Sequence, residues 1–69
     1  MRIRYSSHAY KRMKQRGISH IHVLHALKFS SQIRRSYGCR KIAEITIENQ
    51  SIKVVFIEME TYIKVVTVI

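Results

Sequence analysis

The stretch from Arg40 to Ile69, RKIAEITIENQSIKVVFIEMETYIKVVTVI, decides the fold. Its apolar residues recur mostly at every second position and are rich in Ile and Val, which marks half-buried strands rather than a helix. Three strands are expected, Arg40 to Glu48, Ser51 to Met59 and Tyr62 to Ile69, with a shorter one from Ile33 to Tyr37 that turns at Gly38. The connections at Asn49-Gln50 and Glu60-Thr61 are short enough to force antiparallel hairpins.

Two-residue turns at these places set a register. Ile47 then faces Ile52, Ile45 faces Val54, Ala43 faces Phe56 and Lys41 faces Glu58, while in the next hairpin Ile69, Thr67 and Val65 face Ile52, Val54 and Phe56. One face is apolar except for the Lys41 and Glu58 pair and for Thr67. The other carries Glu44, Thr46, Glu48, Lys53 and Lys64 beside Ile42, Val55, Ile57, Val66 and Val68, more apolar surface than a solvated sheet shows. This outer face is expected to meet a second copy of the chain or a protein partner; the other reading is that the hairpins curl enough to hide it.

Before the strands the period is helical. Ser6 or Ser7 can cap a helix with an apolar strip of Ala9, Tyr10 and Met13 that stops at Gly17, and Ser19 can cap a second one, with Ile21, Leu24 and Leu27 at helical spacing, that ends near Lys28 to Ser31. The expected architecture is one α+β domain over residues 1–69: two N-terminal helices on one face of a curved four-stranded antiparallel sheet. A chain of 69 residues has no room for a second domain.

Along the first helix His8, Arg12 and Arg16 follow one another at four-residue steps, so they drift by ~40° per step along one side. The whole chain has 13 Lys and Arg against 4 acids, a formal charge of +9, which points to a polyanionic partner, RNA foremost. There is no aspartate, so the carboxylate cluster of a metal-dependent nuclease cannot easily be built, and neither a metal nor a cofactor is expected. His20, His22 and His25 are read as surface residues. A single cysteine, Cys39, cannot form an internal disulfide. The sequence shows neither a membrane-spanning run nor a signal peptide, so a cytoplasmic protein without membrane contact is expected.

RNA can be cut without a metal because its own 2′-hydroxyl is the nucleophile. The protein then needs a base, an acid and cations for the phosphorane. His8 can serve as base or acid, Arg12 and Arg16 can clamp the phosphate, and Lys41 can supply charge or a proton. Thr67 breaks the apolar face and joins this candidate set, while Lys11, Lys14, Arg40 and Tyr5 are candidate nucleic-acid contacts. The competing reading is a solvated basic face that holds phosphates without chemistry, in a binding or regulatory module.

The pattern Ser-x-His-Ala-x-x-Arg-Met-x-x-Arg-Gly-Ile, here Ser6 to Ile18, resembles the opening of a small bacterial family of unknown function, whose terminal Val-Val-Thr-Val matches Val65 to Val68. That family is similar in architecture to the RelE-like members of the barnase, EndoU, colicin and RelE group. The resemblance implies an ααββββ fold, metal-independent RNA cleavage of toxin type on free or ribosome-bound RNA, and an acidic antitoxin as partner. It also implies that His8 and Arg12 lie beside the sheet with Thr67 and with Lys41 or Arg40. The central segment, Tyr37-Gly38-Cys39-Arg40-Lys41, leaves open which of the two fills the basic position, and the end at Ile69 leaves no tail for the extra group some RelE-like toxins carry there.

Overall fold

A computed structural model describes residues 2–30 and 32–69. In chain order the elements are β1 (Ile3–Tyr5), α1 (Ser7–Arg16), α2 (His20–Phe29), β2 (Gln32–Arg35), β3 (Lys41–Ile47), β4 (Gln50–Glu58) and β5 (Ile63–Val68). The fold is α+β, with both helices on one face of a five-stranded sheet of order β1-β5-β4-β3-β2. The expected four-stranded antiparallel sheet is corrected in one respect: β1 adds a fifth strand, parallel to β5, pairing Ile3 with Ile63 and Tyr5 with Val65. Three residues are too few to show a period, and their partner lies 60 positions away.

Both helices start and stop where side-chain chemistry puts them. The Ser6 hydroxyl accepts from the Ala9 N–H at 2.9 Å and donates to the Val66 carbonyl at 2.6 Å, so one side chain caps α1 and pins it to β5. At the other end Gly17 is left-handed at φ 66°, and the Gly17 and Ile18 N–H groups return to the carbonyls of Lys14 and Met13, a Schellman closure. A Cβ at Gly17 meets nothing within 4 Å, so the cost of adding one is purely that of the backbone. Gly17→Ala is therefore expected to lose about 1–2 kcal/mol, seen as a fall of roughly 5–10 °C in Tm. In α2 the Ser19 hydroxyl accepts from the His22 N–H while His22 Nδ1 accepts from the Ser19 N–H at 3.1 Å, which gives this histidine a capping role. The helix ends at Ser30; the expected boundary at Ser31 lies outside the described residues.

The β3–β4 hairpin turns one residue earlier than Asn49-Gln50. Glu48 and Asn49 occupy the two central positions, with φ of 51° and 65°, the pair of positive values that fits the strand twist. Ala43 consequently faces Val54 rather than Phe56, and Lys41 faces Phe56. A shift of two leaves every residue on its expected face. Lys41 still reaches Glu58, now diagonally, at 2.7 Å.

The β4–β5 hairpin keeps the expected register as far as Phe56 and Val65, and then a bulge intervenes. Val66 is the extra residue: Val68 faces Val54 and Thr67 faces Val55. Val68, expected on the outer face, is thus fully buried in the core with Ala9, Val23, Ile52, Val54, Phe56 and Val65. Thr67 moves to the outer face. That face is less greasy than expected, because Val68 has left it and Val55 is itself 7% exposed, leaving Ile42, Ile57 and Val66 half-buried. The larger exposed apolar side chains include Ile21 and Phe29 on α2 and Ile33 on the neighbouring β2.

Candidate RNA-binding site

The arrangement divides the candidate residues among three places. The first is one flank of α1. Ala9 and Met13 point into the core, and helical geometry then sets Arg12 and Arg16 along one side of that line and Tyr10 and Lys14 along the other. Arg12 is half-buried, its Nε 3.5 Å from the Val68 carbonyl, and Arg16 borders a shallow hollow of about 190 Å³ with Ser51, Lys53 and Ile69. His8 continues the row at the exposed N-terminal turn, with Lys11 exposed beside it. This flank is an open run of imidazole and guanidinium groups suited to phosphates. Lys53, on β4, borders the same hollow, a neighbourhood that the sequence pattern does not signal because it depends on how α1 packs on the sheet.

The second place is the start of β3. Arg35, Gly38, Cys39, Arg40 and Lys41 border a hollow of about 280 Å³, so Arg40 and Lys41 serve one surface together. Lys41 is tied to Glu58. On the sheet it lies opposite Phe56, which lies opposite Val65, where α1 begins. Two strand spacings, roughly 10 Å, thus separate Lys41 from β5, to which the start of the His8-bearing helix α1 is bonded. The bulge moves Thr67 to the face it shares with Val55, and its hydroxyl donates at 3.4 Å to the Val68 carbonyl, the same oxygen that Arg12 Nε meets at 3.5 Å.

The third place is the notch between the two helices. Tyr5 and Lys14 meet there with Tyr10 and His20, the Tyr5 hydroxyl bonding His20 Nδ1 and the Lys14 Nζ standing 4.9 Å from the Tyr10 ring centroid. Partial burial pushes the Tyr5 hydroxyl above its ordinary range, so it remains a donor at neutral pH. His20 is exposed, as expected of a surface residue, and its side chain also meets Tyr5, a contact that the sequence pattern does not signal.

Among the described residues no group of three or more His, Cys, Asp or Glu stands close enough to hold a metal ion. No described helix is long and apolar enough to cross a membrane. No curated protein and no solved structure matches the chain. Residues 5–69 match a family described as Domain of unknown function (DUF4258), and the chain belongs to that family.

Proposed function

We propose that this domain binds RNA along the α1 flank and cleaves it through the RNA's own 2′-hydroxyl, without a metal ion. The observation that carries the binding half is charge left unneutralised. Of 13 lysines and arginines, only Arg34 and Lys41 are ion-paired among the described residues. His8, Arg12 and Arg16 lie in one accessible row on top of that field. On cleavage His8 takes the 2′-hydroxyl proton, the 2′-oxygen bonds to phosphorus, and the 5′-oxygen leaves with a proton from the imidazolium or from water. Arg12 and Arg16 hold the phosphate oxygens as negative charge builds. The products are a 2′,3′-cyclic phosphate and a 5′-hydroxyl.

The resemblance to RelE-like toxins supports this chemistry and adds an acidic antitoxin, which would compete with RNA for the same cations. Two observations favour a second reading, binding without cleavage: the Thr67 hydroxyl is engaged by the Val68 carbonyl, and Lys41 is engaged by Glu58.

Incubation with a defined single-stranded RNA separates the two. A cyclic phosphate end means cleavage; intact RNA at high protein concentration, with binding retained, means a binder. Binding that falls steeply with salt is expected in either case, and Arg12→Ala and Arg16→Ala should each lower the salt slope by about one. Affinity that ignores both salt and these substitutions overturns the assignment of the flank.

A further inference from the structure

The flank of α1 opposite Arg12 and Arg16 carries a cavity that phosphate binding does not use. It encloses about 380 Å³ between α1, the Gly17 turn, the start of α2 and the end of β1, within the range of about 300–1,000 Å³ typical of small-ligand sites. Its floor is apolar, from buried Met13 and Ile18. Its walls include Tyr10, which keeps 55% of its surface exposed although it neighbours core residues in sequence. At one end stands the Tyr5 and His20 pair and on the rim stands Lys14.

We propose that this cleft binds a single nucleobase, stacked against Tyr10, with the attached phosphate on Lys14. Every base has a π-face, and a tyrosine ring beside a cation is a stacking platform of the kind single-stranded nucleic acid uses. The polar end supplies direction. When the Tyr5 hydroxyl donates to Nδ1, the neutral His20 ring carries its proton on Nε2 and presents it as a donor to a ring nitrogen or carbonyl oxygen of the base. The occupant is a base with a phosphate because the walls are aromatic, the rim is cationic and the chain carries +9. A helix is about 10–12 Å across, so a strand that crosses α1 reaches the cleft on one side and the arginine row on the other. In that form the inference rests on the RNA reading; with a free nucleotide as occupant it stands without it.

The test is a titration of the isotope-labelled protein, followed by amide chemical shifts, with adenosine 5′-monophosphate, uridine 5′-monophosphate, inorganic phosphate and a short single-stranded RNA. The mononucleotides are expected to move Tyr10, Lys14, Ile18 and His20, while inorganic phosphate moves the Arg12 and Arg16 flank and leaves the cleft still. Tyr10→Ala should weaken mononucleotide binding at least about fivefold, and Tyr10→Phe, which keeps the ring, should restore it. RNA that shifts the cleft and loses affinity on Tyr10→Ala identifies the strand as the occupant. Mononucleotide binding by a protein that binds no RNA identifies a free nucleotide, and then the RNA reading fails while the cleft assignment holds. RNA binding that depends on Arg12 but leaves the cleft resonances unmoved, with mononucleotides silent too, overturns the cleft and spares the flank. Mononucleotide binding unchanged by Tyr10→Ala overturns it as well.

Discussion

His8→Ala is expected to lower RNA cleavage by at least about a hundredfold, since a positioned acid–base group is worth 10²–10⁴ in rate. The side chain is exposed on the first turn of α1 and makes no hydrogen bond among the described contacts, so its removal leaves the core and both caps intact. Circular dichroism and Tm should therefore match the parent. RNA affinity should fall only slightly, because Arg12 and Arg16 still hold the phosphate. That split between lost turnover and retained binding is what a catalytic role predicts and what a merely basic face does not. EDTA should leave the parent's rate unchanged, because the nucleophile is the RNA's hydroxyl. A folded His8→Ala protein that cuts at the parent's rate would remove His8 from the chemistry.

Phe56→Ala is expected to remove about a third or more of the domain's stability. Phe56 is 2% exposed and is the aromatic side chain at the centre of the core, opposite Lys41 on one side and Val65 on the other. Truncation of a buried Phe costs about 3–5 kcal/mol in lost transfer energy and cavity. A domain of 69 residues holds only roughly 3–10 kcal/mol in total at 0.05–0.15 kcal/mol per residue. Urea denaturation should show a midpoint lowered by about 1 M or more, and a midpoint within 0.5 M of the parent's would contradict the central place given to this ring. Phe56→Leu, which keeps more of the volume, should be markedly milder.

Most of the architecture was legible because local chemistry and periodicity agreed. Ser6, Gly17 and Ser19 mark helix ends by hydrogen bonding and backbone preference, and the β-branched runs mark β3, β4 and β5. What escaped was non-local or against preference. The strand at Ile3–Tyr5 exists only because β5 offers it an edge, and the hairpin turn places Glu48 at a positive φ that its residue type rarely adopts. The candidate site suffered from the same limit. His8, Arg12 and Arg16 share one helix, so their row could be read from spacing. Placing Thr67 relative to them required a register across two hairpins, and the bulge at Val66 moved it to the other face of the sheet.

The parallel pairing of β1 with β5 has a consequence for how the molecule is made. β5 lies between β1 and β4, so the strand synthesised latest of the five occupies the second position of the sheet. Until residues 63–68 are available, Ile3 and Tyr5 have no partner and one edge of β4 stands open. Helix α1 waits too, because its capping serine is anchored on Val65 and Val66. Closure across some sixty residues makes folding a late and non-local event. A growing chain therefore carries the His8, Arg12 and Arg16 row on a helix that is not yet docked, and that row gains its place against the sheet only when β5 slides into the gap.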